Sequence, residues 1–262
     1  MNDLIFRPKK SLGQNFLMDE NVARKIIRMF SPHSEDVILE VGAGFGALTK
    51  YLIHEVKEVI AVEIDRHLCQ KLNADFSAQN HFKLIQGDVL KLNLADFLSK
   101  SNRSRVLGNI PYHITSPLIF KVFAARRDVL DMTLMIQKEV AQRIVARTHS
   151  KNYGILSVYS QLYSKPRILF HVSRNVFKPR PEVDSSVVQW DFSQASALPI
   201  VNQALLDSLI HAVFQHRRKM LRKSLQKLPQ FSAKRLYLNL DLERRPEELS
   251  PLEFVDLSNQ LS

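Results

Sequence analysis

The stretch of residues 37–49, which reads VILEVGAGFGALT, constrains the fold more than any other part of the chain. Its strand-like apolar residues lead into a glycine-rich turn, and residues 47–53 then read as a helix. The three glycines of the turn are Gly42, Gly44 and Gly46. Glycine lets the backbone turn tightly and approach a ligand without a Cβ, and a helix N-terminus presents free N–H groups. The order of strand, glycine turn and helix therefore predicts the opening of a nucleotide-type βαβ unit.

The spacing of these glycines argues against a dinucleotide as the ligand. It is E-x-G-x-G-x-G, led by Glu40, and differs from the dinucleotide form G-x-G-x-x-G. On this stretch alone, a tight βα turn without a ligand remains the alternative.

Composition limits the class of protein. The 262 residues suffice for one large domain, or for a large domain with a small one. The single cysteine, Cys69, excludes an internal disulfide framework and a multi-cysteine zinc site, and favours a reducing cytoplasm. No apolar run approaches about 18 residues, so we expect neither secretion nor a membrane span. The net charge of +11 favours a nucleic acid as partner, while an anionic membrane surface or a merely basic soluble domain stays open.

Acidic residues follow the next two predicted strands. Residues 58–65, EVIAVEID, read as a second buried strand that ends near Glu63, about twenty residues beyond the glycines, where an acidic residue commonly holds the hydroxyls of a cofactor ribose. Residues 81–90, HFKLIQGDVL, read as a third strand with Asp88 just beyond it. A carboxylate there can accept a hydrogen bond from an exocyclic amine, such as that of adenine. Because ligands of open α/β sheets bind at the carboxyl ends of the strands, a binding site is expected at this edge.

A fourth strand, residues 105–108, leads into the most specific motif of the chain, Asn109-Ile110-Pro111-Tyr112. The proline fixes the backbone and removes a donor. The asparagine oxygen and a backbone carbonyl can together accept both hydrogens of a base's amino group. The tyrosine can stack on the face of that base. A purely structural N-x-P-Y turn is the alternative.

The remaining patterns complete a sheet and add a helical segment. Residues 132–137, 166–170 and 185–192 read as three further strands, which gives a seven-stranded sheet whose last pair forms an antiparallel edge. Residues 193–199, SQASALP, have the composition of a linker, and residues 205–261 read as helical. We therefore divide the chain into residues 1–195 and residues 200–262.

The second part contains a basic segment. Residues 209–228 keep helical spacing of apolar residues on one face, and no acidic residue interrupts the cations of the other face. These cations are Arg217, Arg218, Lys219, Arg222, Lys223 and Lys227. Solvated faces usually mix signs, so this face is interpreted as contacting phosphates, with an ordinary solvated face as the alternative.

Eight segments taken in order resemble the bacterial ribosomal RNA adenine dimethyltransferases, which methylate the amino group of two adjacent adenines near the 3′ end of small-subunit rRNA. The segments are KSLGQNFL, ILEVGAGFGALT, VEID, QGDVL, GNIPYHIT, MIQKEVAQRI, FKPRPEVDSSV and VFQHRRKMLRKSL. The glycine and N-I-P-Y motifs are shared by adenine methyltransferases at large. The combination of FKPRPEVDSSV with the basic FQHRRKMLRK points to the small-subunit type.

The resemblance implies a fold and a set of site residues. The fold is α/β, a Rossmann-like class I S-adenosylmethionine-dependent methyltransferase with a seven-stranded sheet, followed by a small C-terminal helical domain for RNA recognition. The cofactor would contact Asn15, Leu17, Gly42, Glu63, Asp88 and Asn109. The target base would lie between Tyr112 and Phe177, with its amino group on the Asn109 oxygen and the Ile110 carbonyl, next to Pro111. Neither a metal nor a strong general base is expected.

The resemblance also implies a partner and leaves competing functions. The partner would be small-subunit rRNA in an immature 30S particle, bound through Arg217, Arg218, Arg222 and Lys223 by a cytoplasmic monomer that needs no membrane. The alternatives are a related large-subunit rRNA adenine methyltransferase of the antibiotic-resistance type and a non-catalytic rRNA-binding assembly factor. A nucleotide-dependent oxidoreductase is disfavoured, because N-I-P-Y has no task in hydride transfer.

Overall fold

A computed structural model describes residues 7–99, 101–193, 199–234 and 238–262. The strands in these ranges are β1 (Phe16–Leu17), β2 (Val37–Val41), β3 (Glu58–Glu63), β4 (Phe82–Gln86), β5 (Ser104–Asn109), β6 (Asp131–Gln137), β7 (Lys165–Val172), β8 (Phe177–Lys178) and β9 (Ser185–Asp191). The α-helices are α1 (Glu20–Phe30), α2 (Thr49–Leu52), α3 (Arg66–Phe76), α4 (Ala95–Leu98), α5 (Thr115–Ala124), α6 (Lys138–Ile144), α7 (Ile155–Tyr163), α8 (Gln203–Gln215), α9 (Leu221–Ser224), α10 (Pro229–Lys234) and α11 (Pro251–Leu261).

Seven of these strands form one sheet in the order β4-β3-β2-β5-β6-β9-β7. The pairs from β4 to β6 are parallel, whereas β9 runs antiparallel to β6, with Gln137 opposite Ser185. The predicted seven-stranded α/β sheet with an antiparallel end is confirmed. The chain proceeds from β2 outward to β4 and then returns to β5 on the other side of β2, so the strand order reverses between β2 and β5. Such a reversal opens a crevice at the carboxyl ends of these strands, where ligands bind.

The central strands form where the sequence is continuously apolar. All five residues of β2 are buried, as are five of the six residues of β3, because helices cover both faces of a parallel sheet. Asp19 caps α1 by accepting hydrogen bonds from the N–H groups of Asn21 and Val22, as its position before the apolar repeat predicts. The buried face of α1 consists of Ala23, Ile26, Ile27 and Phe30.

Several helix bounds differ from the sequence-based prediction. The helix predicted over residues 47–53 is confined to α2, because the preceding glycines hold left-handed backbone angles and residues 44–48 form turns. Within this helix, the N–H groups of Lys50, Tyr51 and Leu52 donate to the carbonyls of Gly46 and Leu48. The helices α5 and α7 were not predicted from the sequence.

The single helix predicted over residues 209–228 is wrong. The helix α8 ends at Gln215, and α9 begins only after Met220, whose backbone is extended. The break is stabilised from elsewhere in the chain, because the N–H groups of Leu221 and Arg222 donate to the carbonyls of Arg244 and Leu242. Most of the predicted apolar positions are nevertheless buried, namely Ile210, Val213, Leu221, Leu225 and Leu228, and Phe214 is half-buried.

The chain divides into two compact units. The first consists of Met1–Ala141 and Arg167–Ser193, and the second of Gln142–Pro166 and Gln194–Ser262. The predicted boundary near residue 195 had placed Gln142–Pro166 in the catalytic part. These residues belong with the second unit because the Tyr153 hydroxyl donates to the Leu249 carbonyl, and the Tyr159 hydroxyl donates to Asp207. Of the predicted linker, residues 194–198 lie outside the described residues.

Candidate functional site

A cavity of about 300 Å³ opens at the carboxyl ends of β2, β3 and β5, within the first unit. Its walls come from segments that are far apart in sequence. They include every residue that the sequence analysis assigned to the cofactor or to catalysis. These residues are Asn15, Leu17, Gly42, Glu63, Asp88, Asn109, Ile110, Pro111, Tyr112 and Phe177.

The glycine turn forms one wall of this cavity. Gly42 has a φ of +71°, a backbone conformation that other residues rarely adopt. A Cβ added at Gly42 would lie 3.2 Å from the backbone oxygen of Asn109, so the turn lies close against the end of β5. This turn therefore needs glycine for its conformation and for its contact with the N-I-P-Y motif.

Glu63 lies at the end of β3 and binds the glycine turn directly. Its Oε2 accepts a hydrogen bond of 3.0 Å from the N–H of Gly44. Its Oε1 accepts 2.9 Å bonds from the N–H groups of Ile64 and Asp65. Burial raises the pKa of Glu63, although these three bonds oppose the rise. Each carboxylate oxygen can accept two hydrogen bonds, so Oε2 keeps acceptor capacity for a ligand.

Glu40 is a further carboxyl of the cavity wall, and it is not among the residues predicted to bind the cofactor or to act in catalysis. It is 2% exposed, and its Oε2 accepts a 2.7 Å hydrogen bond from the Thr49 hydroxyl. Burial raises the pKa of Glu40 to about 7, and the nearby charge of Glu63 adds to the rise. Its position at the head of the E-x-G-x-G-x-G motif was the sequence signal that could have identified it.

Asp88 lies in the turn that follows β4. Its Oδ1 accepts a 2.9 Å hydrogen bond from the N–H of Leu90, and its carbonyl accepts from the N–H of Lys91. Among the described residues, no donor is bonded to its Oδ2. The turn therefore orients this carboxylate and leaves one oxygen available to a ligand.

The N-I-P-Y motif begins at the last residue of β5. The side-chain amide nitrogen of Asn109 donates a 3.4 Å hydrogen bond to the carbonyl of Asn15, which orients its Oδ1, and no donor among the described residues occupies that oxygen. The Tyr112 hydroxyl lies 2.8 Å from the Ser185 Oγ, and burial raises the pKa of Tyr112. The motif is thus held by the N-terminal segment at one end and by β9 at the other.

Phe177 is brought to the cavity by a strand pair that the sequence did not predict. The strands β1 and β8 pair antiparallel, with Leu17 opposite Phe177 and Phe16 opposite Lys178. The N–H of Met18 also donates to the carbonyl of Val176. The Q-N-F-L and F-K-P-R-P segments are therefore one structural element, with Phe177 buried in it.

The predicted RNA-binding cations divide into two kinds. Arg217 is engaged inside the second unit, where its Nε lies 2.7 Å from Glu247 and its two Nη atoms donate to the carbonyls of Ser150 and Lys151. Arg222 Nε lies 2.8 Å from Glu243, which is close enough for an ion pair although its N–H is not aligned for a hydrogen bond.

The other two cations of this set are differently placed. Arg218 and Lys223 are exposed and have no ion pair with any described residue. The expectation of an unmixed positive face is therefore wrong for Arg217 and Arg222, because acidic residues from a later part of the chain neutralise them.

The part of the chain that the structure describes contains no helix long and apolar enough to span a membrane. Nor does any group of three or more His, Cys, Asp and Glu residues in that part have the arrangement of a metal site.

Comparison with known proteins gives consistent results over nearly the whole chain. Residues 5–262 match the family model of the ribosomal RNA adenine dimethylases. The Ribosomal RNA small subunit methyltransferase A of Chlorobium phaeobacteroides is 40% identical over 97% of this chain and 93% of its own length. The protein of the same name from Saccharophagus degradans is 38% identical over 97% of this chain and 95% of its own length.

Solved structures agree with these relatives. A dimethyladenosine transferase from Plasmodium falciparum superposes with a TM-score of 0.78 at 27% identity, covering 92% of this chain and 95% of that one. The 23S rRNA methyltransferase ErmE gives a TM-score of 0.67 at 23% identity, covering 94% of this chain and 99% of that one, a likeness of fold alone. The chain belongs to the ribosomal RNA adenine dimethylase family.

Proposed function

We propose that this protein transfers methyl groups from S-adenosylmethionine to the N6 amino groups of two adjacent adenines near the 3′ end of small-subunit rRNA. The products are N6,N6-dimethyladenosines. The observation that carries the proposal is the convergence, in one cavity, of an oriented asparagine oxygen, two aromatic rings and two carboxylates with unused acceptor capacity. The small-subunit relatives at 37–40% identity favour this substrate over large-subunit rRNA.

The residues present fit S-adenosylmethionine, which when bound supplies an electrophilic methyl group on a sulfonium sulfur. The free acceptor capacity of Glu63 suits the ribose hydroxyls, and the available oxygen of Asp88 suits the adenine amine. The close approach of Gly42 to Asn109 keeps that wall free of side chains. Asn15 and Leu17 would close the remaining side of the cofactor site.

Asn109 and Ile110 would act on the target amino group. The oxygen of Asn109 and the carbonyl of Ile110 would accept its two hydrogens and turn its lone pair toward the methyl donor. These acceptors match the positive charge that the nitrogen gains as its new bond forms, so they stabilise the transition state more than the bound base. The alkylated nitrogen is acidic and loses its proton without a strong base.

Tyr112 and Phe177 would hold the target base. Its amino group is out of reach in a stacked helix, so the nucleotide must be extruded into the cavity. The hydrogen bond to Ser185 positions the Tyr112 ring, and the β1–β8 pair positions Phe177. Stacking on such rings is worth about 1–3 kcal/mol per base and accepts any base, so it is the hydrogen bonds that require a base with an exocyclic amino group.

Arg218 and Lys223 would supply the phosphate contacts that position the enzyme on its RNA. Of the four residues Arg217, Arg218, Arg222 and Lys223, they are the two that are exposed and have no acidic partner among the described residues. Arg222 would contribute less, and Arg217 would organise the second unit. The substrate would be an immature 30S particle, met in the cytoplasm by a monomer.

The test is methylation of small-subunit particles purified from cells that lack this modification. With S-adenosylmethionine in the presence of EDTA, the chain should convert two adjacent adenines near the rRNA 3′ end to N6,N6-dimethyladenosine, as mapped by mass spectrometry of RNA fragments. Asn109→Ala tests the role of the asparagine oxygen, and it should lose far more of its rate of methyl transfer than of its affinity for S-adenosylmethionine. Methylation of large-subunit rRNA alone, or unchanged rates in Asn109→Ala, would contradict the proposal.

A further inference from the structure

Residues 9–17, which we term the N-terminal strap, contact the main walls of the cavity. Six residues of the strap, from Leu12 to Leu17, line the cavity itself. At its C-terminal end, the strap is held by the backbone pairing of β1 with β8. In its middle, the carbonyl of Asn15 accepts the amide of Asn109, and the Phe16 ring lies 4.6 Å from the Phe45 ring. Its N-terminal end is instead anchored by side-chain contacts with a single carboxylate.

That anchor is the carboxylate of Asp65, whose side chain is 0% exposed. The Nζ of Lys9 lies 3.0 Å from its Oδ2, and the side-chain nitrogen of Gln14 donates to the same oxygen at 3.2 Å. The N–H of Lys9 in turn donates to the Oε1 of Gln14 at 2.7 Å. These three groups form a closed set of contacts, which we term the latch.

The latch is directly connected to the predicted ribose carboxylate. Asp65 follows Glu63 by two residues, and its N–H donates to the Oε1 of Glu63. Burial alone would raise the pKa of the Asp65 carboxyl, but hydrogen bonds from Lys9, His67 and Gln14 hold it below its ordinary value. The carboxylate is therefore charged wherever the latch is closed.

The contacts of the strap allow its N-terminal end to detach. Gly13, between the two latch residues of the strap, has a φ of +59° and follows a short 3₁₀ turn, Lys10–Leu12. The latch consists of one ion pair with a half-exposed lysine and side-chain hydrogen bonds, whereas the other end of the strap is fixed by backbone pairing. The N-terminal end is thus the end that can detach without unfolding a strand.

We propose that Lys9, Gln14 and Asp65 hold the N-terminal strap closed over the cofactor, and that the spent cofactor leaves when this latch opens. Asp65 is a positioning residue, since it acts through the strap and through Glu63. The inference rests on the proposed function, because it assumes that this cavity holds S-adenosylmethionine and S-adenosylhomocysteine. Each dimethylation needs two methyl transfers and hence an exchange of cofactor, for which the latch has to open.

A purely structural role for Asp65 predicts a different outcome. Its Oδ1 accepts a hydrogen bond from the N–H of His67 and so caps α3. If capping were its only task, Lys9, which does not line the cavity, could be changed without effect on the cofactor. The decisive variants are therefore on the strap and leave the cap intact.

The experiment measures the dissociation rate of radiolabelled S-adenosylhomocysteine from the full chain, by rapid filtration and without RNA. Lys9→Gln should release the ligand about three- to ten-fold faster, the range set by a charged hydrogen bond with a partly exposed partner. Lys10→Gln is the matched control, because it removes the same charge from the neighbouring position, which has no ion pair among the described residues. Lys9→Arg should restore slow release.

A second variant protects the test against a folding defect. Gln14→Ala should also speed release, and the double variant Lys9→Gln with Gln14→Ala should be less than additive, since both side chains bind one oxygen. Melting temperatures within a degree or two of the unaltered chain would show that the fold is intact. Release at the unaltered rate in both single variants would overturn the latch alone. If the unaltered chain did not bind S-adenosylhomocysteine, the proposed function and the latch would both be refuted.

Discussion

Glu40 gives the protein a pH dependence of stability that a single substitution should remove. The carboxyl is buried beneath the glycine turn, and its pKa is raised from 4.5 to about 7. In the unfolded chain, Glu40 releases its proton near its ordinary pKa, whereas in the folded chain it keeps the proton until about pH 7. Between these values the folded chain binds more protons than the unfolded chain, so the free energy of unfolding must fall as the pH rises.

The size of the effect follows from the same two values. Each unit of difference in pKa corresponds to about 1.4 kcal/mol, so the full contribution of Glu40 is about 3 kcal/mol. This stability is present below about pH 4.5, declines as the pH rises toward 7, and is absent above it. Glu40→Gln keeps an acceptor for the Thr49 hydroxyl and has no proton to lose. It should therefore be more stable than the unaltered chain at pH 8, and the two should converge near pH 5.

Urea unfolding at intervals from about pH 4.5 to about pH 8.5, followed by circular dichroism, measures this difference. Other groups also titrate, so the quantity of interest is the stability of Glu40→Gln minus that of the unaltered chain at each pH. Glu55→Gln, which removes an exposed carboxylate, is the matched control. Its stability minus that of the unaltered chain should not change with pH. Equal pH dependence in Glu40→Gln and in the unaltered chain would refute the reasoning.

Two further predictions concern the substrate. Tyr112→Ala should slow single-turnover methyl transfer by roughly 5- to 150-fold, the loss of about 1–3 kcal/mol of stacking, while Tyr112→Phe should retain most of the rate; equal rates in both would exclude stacking as the role of the ring. Replacing Arg218 and Lys223 together by Gln should flatten the slope of log affinity against log salt for small-subunit particles by about 1.4–1.8 and leave the melting temperature unchanged. Arg217→Gln should lower the melting temperature and leave the salt slope unchanged, because it removes the contacts with Glu247 and two carbonyls. If Arg217→Gln flattened the slope as much as the double variant does, the division of the cations into two kinds would be wrong.

Much of the fold could be predicted because the sequence encodes it locally. Continuous apolar runs such as β2 and β3 have one stable solution in an α/β protein, a parallel sheet covered on both faces. Residues that follow such strands must meet at one edge, so the order of strands and motifs along the chain is enough to bring Glu63, Asp88 and Asn109 together.

The features that escaped prediction depend on residues distant in sequence. The strands β1 and β8 have two residues each and lie about 160 positions apart, so neither carries a periodic pattern. The break after Gln215 contains neither glycine nor proline, and it forms because the N–H groups of the next helix find the carbonyls of Leu242 and Arg244. The ion pair of Arg217 with Glu247 likewise joins residues that are distant in sequence, so the sequence pattern around Arg217 does not reveal it.

Because β9 runs antiparallel to β6, the start of this strand lies at the edge of the sheet where the cavity opens. A parallel strand would present its last residues at the ligand edge, but β9 presents its first, Ser185, opposite Gln137. The segment that reaches this side of the cavity is therefore the one that precedes β9, including Phe177, whereas Gly42, Glu63 and Asp88 lie at or just beyond the ends of β2, β3 and β4. Insertions or substitutions between β8 and β9 would therefore change this side of the cavity and leave the segments after β2, β3 and β4 in place. Because β8 pairs with β1, such a change would have to keep Phe177 opposite Leu17.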